Sequence, residues 1–271
     1  MKISTVLFSL RRKRLATILV AGVCFVCLHV HHMPTETVKH VVVLPSSEDL
    51  TVYKLPESFS EEPIHLTPID PTMLIELGND TIDAAHRKGI LHTGGILYIM
   101  DASDKILVMK RSRSVVTCPD TWSILGEHSI VGEDANDLPA RALAEELGLS
   151  VTSLDITIQN LTAFPLYYIR YYGARNGNRI DRQLTHIWFV KLPKRHQEID
   201  LRLDHEVAGH KWVSVDEMDK WLERDARHDV TIKSDNLGDD GPPNGDFCHH
   251  TIRSLLQLGV KHLKLMLETI T

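Results

Sequence analysis

Short apolar runs separated by polar turns follow one another from residue 85 onward. Residues 95–100 and 105–110 are two such runs, and the polar stretch 101–104 lies between them, which is typical of a β-hairpin. The other predicted elements are strands at 122–125 and 183–190, a strand leading into a capped helix at 211–218, and helices at 138–149 and 251–267. Because strands and helices alternate without regular βαβ units, the pattern predicts a mixed sheet covered by helices.

The first residues have a different pattern. A basic cluster at 11–14 precedes an uncharged apolar run at 15–30, which would reach roughly 24 Å as a helix. This pattern predicts a cytoplasmic tail over 1–14 and a signal-anchor transmembrane helix over 15–32. The chain would then be a single-pass type II membrane protein whose bulk faces the secretory lumen or the cell exterior. A cleaved signal, giving a secreted protein, and a soluble helix are the alternatives; the sequence after the run is a poor cleavage site.

Proline dominates the segment that follows. Six prolines between residues 33 and 84 disfavour a continuous helix or a central strand, so we predict a stem there and a folded domain over 85–271. Asn79 and Asn160 begin N-glycosylation triplets, which matter only if the luminal orientation holds. Cys118 and Cys248 would then face an oxidising compartment, although the sequence does not tell whether they pair.

Composition limits the function classes. The 271 residues carry 30 Lys and Arg against 36 Asp and Glu, a formal charge of −6, so there is no general basic excess with which to bind nucleic acid. Four cysteines are too few for a disulfide scaffold. The composition is that of an ordinary globular chain.

Candidate chemistry is concentrated in residues 126–149, GEHSIVGEDANDLPARALAEELGL. At 100° per residue, the predicted helix buries an apolar stripe and presents Arg141, Glu145 and Glu146. The preceding loop adds Glu127 and Glu133. Converging carboxylates suit a hard cation such as Mg²⁺, or Mn²⁺, which also takes phosphate oxygens as ligands. On its own, however, such a helix is more often a solvated surface with an i,i+4 ion pair.

The spacing of these residues resembles the Nudix box, G-x5-E-x7-R-E-U-x-E-E-x-G-U, in which U is aliphatic. Glu133, Arg141, Leu143, Glu145, Glu146, Gly148 and Leu149 match this pattern. The resemblance implies an α/β/α sandwich that hydrolyses a nucleoside diphosphate linked to another group. It also implies that Glu145 and Glu146 bind metal, that Arg141 orients them, and that Glu133 and Gly148 support the loop and the helix.

Two departures from the box bear on activity. Glu127 replaces the first Gly, directly after Gly126, and Ala142 replaces the Glu that follows the Arg. In many family members this Glu is a metal ligand or the base. At 100° per residue Ala142 falls between Glu145 and Glu146, so we expect a hole in the acidic face of the helix. We hypothesise that Glu127 restores the third carboxylate, with Gly126 beside it at the metal. The alternative is a catalytically silent fold that acts as a binding module.

The segment before the box also resembles the isopentenyl diphosphate isomerase branch of the same fold. That branch requires a Cys and a metal-binding His there, and our alignment places Glu127 and Ser129 at those positions, with His128 one residue away. Isomerase chemistry is therefore disfavoured. The 16 histidines fit no common metal motif, so we interpret them as surface or core residues.

We therefore predict a membrane-anchored, Mg²⁺-dependent diphosphate hydrolase. Its catalytic residues would be Glu127, Arg141, Glu145 and Glu146, and Glu206 is a candidate for substrate binding. The partner would be a small-molecule diphosphate, which the sequence does not identify. The oligomeric state is not predicted.

Overall fold

A computed structural model of the chain describes residues 49–59, 62–115, 117–152, 154–172, 178–229, 246–248 and 250–270. The predicted cytoplasmic tail and membrane span, the first part of the predicted stem and the loop at 235–244 lie outside these ranges. Among the helices that are described, none combines the length and the apolar character needed to cross a membrane.

Ten strands form one sheet in the described part of the chain. They are β1 (Asp49–Lys54), β2 (Ile75–Thr81), β3 (Leu91–Met100), β4 (Lys105–Arg111), β5 (Trp122–Ser123), β6 (Leu125–His128), β7 (Thr157–Asn160), β8 (Leu166–Tyr171), β9 (Ile180–Lys191) and β10 (Val207–Ser214). The α-helices are α1 (Ile82–Lys88), α2 (Leu138–Leu147), α3 (Val215–Asp229) and α4 (His250–Ile270), and Pro71–Met73 and His196–Glu198 are short 3₁₀ helices.

Strand β3 organises the sheet. It pairs in parallel with β9 from His92 to Met100, while β1, β6 and β4 pair antiparallel with successive parts of β3. Strands β7 and β8 continue the sheet beyond β9, and β10 continues it beyond β4. The sheet is therefore mixed, as predicted, and the predicted hairpin is the β3–β4 pair.

The two faces of the sheet carry separate apolar clusters. Because side chains alternate along a strand, Leu97 and Ile99 of β3 lie on one face, and Tyr98 and Met100 lie on the other. The first pair packs with buried residues of α2, and the second packs with α3 and α4. The sheet is thus covered by helices on both sides, which confirms the predicted layers.

The predicted stem is corrected by the structure, because β1 and β2 lie within it and belong to the main sheet. The prolines do not oppose this, since Pro56, Pro63 and Pro68 lie between the two strands and Pro71 begins the 3₁₀ helix. Such positions tolerate the missing backbone N–H. The sheet therefore begins at Asp49 in the described residues, well before residue 85.

Two contacts fix the start and the middle of α4. Cys248, just before the helix, forms a disulfide with Cys118 of the loop between β4 and β5, which answers the question of pairing. Gly259, within the helix, allows close approach: an added Cβ would lie 2.2 Å from the ring of Tyr98. The Tyr98 hydroxyl donates a hydrogen bond of 2.6 Å to the carbonyl of Leu256.

Candidate functional site

Helix α2 presents the box residues as the sequence pattern predicts. Leu138, Leu143 and Leu147 are buried against the sheet, and Gly148 ends the helix in the left-handed conformation with φ of 65°. Ala142 is also fully buried in this apolar cluster, at 0% exposure. The missing carboxylate therefore leaves no solvent-filled gap in the helix, contrary to our expectation of a hole in the acidic face.

Arg141 connects the loop to the helix. Its guanidinium donates hydrogen bonds of 2.7 and 3.0 Å to the two oxygens of Glu133, 3.0 Å to Glu145 and 2.6 Å to the carbonyl of His128. The side chain of Glu133 is 0% exposed, and it also accepts from the N–H of Ile130 at 3.1 Å. A two-pronged Arg–carboxylate pair is geometrically specific, so Arg141 and Glu133 hold the loop and helix in fixed relation.

Glu127 lies beside this pair. Its Oε1 is 3.6 Å from Nη1 of Arg141 and accepts a hydrogen bond of 2.8 Å from the N–H of His128. Burial, with the charges of Glu146 and Glu145 acting in the same direction, raises the pKa of Glu127 to about 7, although Arg141 and the His128 N–H lower it. A carboxylate with a pKa near neutrality can both accept and release a proton at physiological pH.

Glu146 completes the acidic group together with residues from another element. Burial raises the pKa of Glu146, and the charges of Asp204, Glu206 and Glu145 act in the same direction. Glu206, just before β10, lies 4.0 Å from the guanidinium of Arg111. The structure therefore brings Glu127, Glu145 and Glu206 within electrostatic reach of Glu146. We call Glu127, Glu133, Arg141, Glu145, Glu146 and Glu206 the acidic face.

The acidic face fits a hard divalent cation. Mutual repulsion and burial disfavour the charged carboxylates of Glu127 and Glu146, which is the penalty that a bound cation would remove. Oxygen donors are those that Mg²⁺ and Mn²⁺ accept. Gly126 is adjacent to Glu127 on β6 and pairs with Ile96.

A second group of candidate ligands was missed by the sequence interpretation. His86 of α1, His92 of β3, His128 of β6 and Asp181 of β9 place one ligand atom each within 4.8 Å of one another. The Nδ1 of His92 lies 3.0 Å from the carbonyl of Ile90, which leaves its Nε2 for a ligand. We call these four residues the histidine centre.

Burial in the histidine centre favours the neutral imidazoles of His86 and His128. Burial lowers the pKa of His86, and burial together with His92 lowers the pKa of His128 to about 3. Burial alone would raise the pKa of Asp181, but the neighbouring imidazoles bring it well below its usual range. Neutral imidazoles with one carboxylate form a donor set for a transition metal such as Zn²⁺ or Mn²⁺.

The two groups lie on opposite faces of the sheet. Glu127 and His128 are consecutive residues of β6, so their side chains point in opposite directions. Glu127 shares its face with Leu125, which packs with α2. His92 shares its face with Tyr98, which packs with α3 and α4. The histidine centre is therefore a separate site behind the acidic face.

This arrangement corrects the alignment with the isomerase branch. His128 contributes to the histidine centre, whereas Ser129 does not. Moving the alignment by one residue places Gly126, which has no side chain, where that branch carries its cysteine. One signal in the sequence was available: His86 and His92 flank the glycine that ends α1, so both approach the start of β3.

Comparison with known proteins gives both a family and relatives. The family model described as the NUDIX domain matches residues 91–233. Isopentenyl-diphosphate Delta-isomerase of Rhodobacter capsulatus is 28% identical over 134 residues, which are 49% of this chain and 69% of that protein. Isopentenyl-diphosphate Delta-isomerase 2 of Photorhabdus laumondii is 27% identical over 132 residues, 48% of this chain and 66% of that protein.

Solved structures are also similar. Protein DR0079 of Deinococcus radiodurans has a TM-score of 0.46 at 13% identity, covering 72% of this chain and 98% of that one. The Ap4A hydrolase of C. elegans has a TM-score of 0.39 at 16% identity, covering 66% and 98%.

Proposed function

The chain belongs to the NUDIX domain family, and we propose that it is a metal-dependent hydrolase that cleaves the diphosphate linkage of a small organic or nucleoside diphosphate. The observation that carries the proposal is that Arg141 holds Glu127 and Glu145 side by side, and that both carboxylates lie within electrostatic reach of Glu146. The matched segment contains the whole acidic face.

The proposed reaction is attack of water on one phosphorus of the diphosphate. A new P–O bond forms, the bridging P–O bond breaks, and the second phosphate leaves with the bridging oxygen. Bound Mg²⁺ or Mn²⁺ would neutralise charge on the phosphates and acidify the attacking water. Glu145 and Glu146 would hold the cation, and Glu127 would accept the proton of water, for which a pKa near 7 is suited.

Arg141 and Arg111 would have different roles in this reaction. Arg141 is saturated by Glu133, Glu145 and the His128 carbonyl, so it positions carboxylates rather than substrate. Arg111 is held through Thr117, and its guanidinium faces Glu206 at 4.0 Å. We expect Arg111 to bind a phosphate group beside Glu206 of the acidic face.

A panel of organic and nucleoside diphosphates, assayed with and without Mg²⁺, tests the proposal. We expect release of phosphate or a nucleoside monophosphate that requires the metal, is lost in Glu146→Gln and is strongly reduced in Glu127→Gln. Glu76→Gln, on the exposed edge strand β2, is the matched control. Wild-type turnover in Glu127→Gln would end the role given to Glu127, and no turnover of any diphosphate would favour a silent binding module.

Isomerisation of isopentenyl diphosphate is the second candidate, because the relatives carry that name and the histidine centre provides a metal site. Gly126 and Glu127 supply no thiol near this centre, which argues against it. Including isopentenyl diphosphate in the panel decides between the two, since isomerisation leaves the diphosphate intact and hydrolysis does not.

We also propose that the domain faces the secretory lumen, anchored through residues 15–32. The disulfide between Cys118 and Cys248 supports an oxidising compartment. Asn79 is exposed on β2, whereas the Asn160 amide contacts His186 at 3.0 Å and accepts from Thr162. We expect a glycosidase-sensitive mass shift that is lost in Asn79→Gln; absence of any shift in the wild-type chain would contradict the glycan.

A further inference from the structure

The turn at residues 117–121, between β4 and β5, holds both the backbone and the side chain of Arg111. Nε of Arg111 donates a hydrogen bond of 2.9 Å to the carbonyl of Thr117, and Nη2 donates one of 3.2 Å to the Thr117 hydroxyl. The N–H of Arg111 donates to the carbonyl of Thr121 at 2.8 Å. Because two contacts along one edge of a planar guanidinium fix its plane, the direction of the Arg111 side chain depends on this turn.

The hydroxyl of Thr117 contacts a buried tyrosine as well as Arg111. Burial raises the pKa of Tyr172 to about 12, although the charges of Arg170 and Arg111 and a hydrogen bond with Thr117 lower it. A hydroxyl both accepts and donates, so Thr117 can accept from Arg111 while it donates to the oxygen of Tyr172. Tyr172 is only 6% exposed. Thr117 therefore connects the guanidinium to a side chain that the core holds in place.

The disulfide joins this turn to a segment that other contacts already fix. Cys118 and Cys248 form the disulfide, and both are buried. Close to Cys248, the N–H of Asp246 donates 2.6 Å to the carboxylate of Asp225 on α3. The side chain of Asp246 accepts a hydrogen bond of 2.6 Å from the indole of Trp221, also on α3. The disulfide therefore connects Cys118 to a point that α3 anchors.

The backbone of the turn needs such an anchor. Cys118 and Asp120 have φ of 49° and 62°, a left-handed conformation that is unfavourable for residues with a Cβ. Within the turn, the hydroxyl of Thr121 donates to the carbonyl of Cys118 at 2.8 Å. An unfavourable backbone conformation persists where the surrounding structure maintains it, and the disulfide supplies a constraint from outside the turn.

Arg111 is held in a way that keeps its charge available to an anion. Both of its contacts to Thr117 are to neutral oxygens, and the nearest Glu206 oxygen lies 4.0 Å away, beyond hydrogen-bond distance. The side chain of Arg111 is 32% exposed, so a ligand can reach it. A guanidinium with a fixed plane is suited to binding two oxygens of one phosphate.

We propose that Thr117 and the disulfide between Cys118 and Cys248 position Arg111 to receive a phosphate group of the substrate. The identity of the ligand rests on the proposed function, whereas the positioning rests on the contacts of the turn. Thr117 and the two cysteines are positioning residues, because they act through Arg111. Affinity for the substrate would then depend on a bond that persists in an oxidising compartment.

Calorimetric titration of the full chain with methylenediphosphonate and Mg²⁺ tests the role of Thr117, since the P–C–P bridge of this diphosphate analogue is not hydrolysed. We expect Arg111→Met to weaken binding about 10- to 100-fold and Thr117→Val about three- to tenfold, because Val keeps the shape of Thr without its hydroxyl. Thr117→Ser keeps the hydroxyl and should bind as the wild type does. Thr72→Val, which removes an exposed hydroxyl that donates to Asp70 at 2.7 Å, is the matched control.

A double-mutant cycle shows whether Thr117 acts through Arg111. If it does, Thr117→Val weakens binding in the wild-type chain but has little further effect in Arg111→Met. An equal loss in both backgrounds would mean that Thr117 acts by another route. That result, wild-type affinity in Thr117→Val, or no binding of the analogue by the wild-type chain would overturn the proposal.

Cys248→Ser tests the disulfide in the same titration. We expect binding about three- to tenfold weaker, again with little further loss in the Arg111→Met background. Because loss of a disulfide also lowers stability, thermal unfolding checks that the variant is folded at the temperature of the titration. Wild-type affinity would remove the disulfide from the proposal. So would a variant that does not fold, because the disulfide would then support the whole fold rather than Arg111.

Hydrolysis assays separate this inference from the hydrolase assignment. On a hydrolysed substrate, Thr117→Val should raise KM and leave kcat within about twofold, whereas Glu146→Gln should abolish kcat. Coupling between Thr117 and Arg111 in analogue binding, with no substrate of the panel hydrolysed, supports the positioning while the hydrolase assignment fails. Hydrolysis that requires Glu146, together with wild-type affinity in Arg111→Met, leaves the hydrolase standing and refutes the positioning.

Discussion

The acidic face and the histidine centre occupy the two sides of β6 and differ in how they are built. The acidic face draws most of its carboxylates from one loop and one helix, and Arg141 holds them together by direct hydrogen bonds. The histidine centre takes one residue from each of four elements, and one buried side-chain atom of each of these residues makes no hydrogen bond. One site is therefore held together by its own hydrogen bonds, whereas the other is a candidate metal site whose ligand atoms make few of their own.

This difference shows that the groups that stabilise the fold and the groups available to a ligand are concentrated on different sides of the sheet. The paired groups of the acidic face stabilise the fold even without metal. The imidazoles of the histidine centre are buried around one carboxylate, and a bound metal would satisfy their free ring nitrogens.

Replacing Arg141 with Met should give the largest effect. Glu133 would remain buried without its partner, so we expect a loss of about 3–5 kcal/mol in the free energy of unfolding. Urea unfolding measures it, and Arg113→Met, which breaks an exposed pair with Asp120, should cost less than about 1 kcal/mol. A loss below that value in Arg141→Met would mean that the acidic face is not braced as described.

Metal binding tests the other side of the comparison. At a Zn²⁺ concentration about 100 times the Kd, we expect the chain to gain roughly 2.7 kcal/mol of stability. Asp181→Asn should abolish most of this gain, because it removes the only carboxylate of the histidine centre. Asp216→Asn, on the exposed side of α3, is the control. Equal stabilisation of Asp181→Asn and the wild type would place the zinc elsewhere.

The sequence predicted the acidic face because a helix repeat and a short loop determine which residues meet. Arg141 and Glu145 are one turn apart, and this spacing alone places them in contact. His86 and Asp181 meet only because β3 and β9 pair in parallel, which is a long-range choice that local periodicity does not encode. The histidines therefore looked like ordinary core residues.

Two other differences have similar physical origins. Strands β1 and β2 were missed because the high number of prolines in residues 33–84 was taken as evidence against a central strand there. The prolines at 56, 63, 68 and 71 lie between the two strands and do not interrupt either of them. We expected Ala142 to leave a hole in the acidic face, whereas it packs in an apolar cluster. The helical angle of a residue gives the direction of its side chain, but it does not tell which residues pack against that side chain. The hairpin, α2 and α4 were predicted correctly, since each has a strong local pattern.

The pH dependence of Glu127 sharpens the electrostatic part of the comparison. Its folded pKa of about 7 lies above the ordinary glutamate value of 4.5, so the folded state binds more protons between these values. Stability of the metal-free protein should therefore fall as pH rises from about 4.5 to 7, by of the order of 1–3 kcal/mol. Glu127→Gln should remove this loss, as followed by urea unfolding at several pH values. An unchanged pH profile in that variant would contradict the raised pKa.

The smallest effect on stability should come from Glu145→Gln. Glu145 and Glu133 bind the same guanidinium, but the side chain of Glu145 is 57% exposed and that of Glu133 is 0% exposed. An exposed i,i+4 pair contributes about 0.3–0.5 kcal/mol, so Glu145→Gln should unfold almost as the wild type does. Its Mg²⁺-dependent turnover should nevertheless fall at least about tenfold, since even groups that only support a metal ligand cost that much when lost.

Glu133→Gln gives the opposite profile and completes this comparison. It should lower stability by more than Glu145→Gln, because it weakens the buried pair that holds the loop to α2. If Glu145→Gln instead lost stability while keeping its turnover, the exposed carboxylate would be part of the bracing and not of the chemistry. Arg141 would then not have one structural partner, Glu133, and one metal-binding partner, Glu145, although the fold around it would be unchanged.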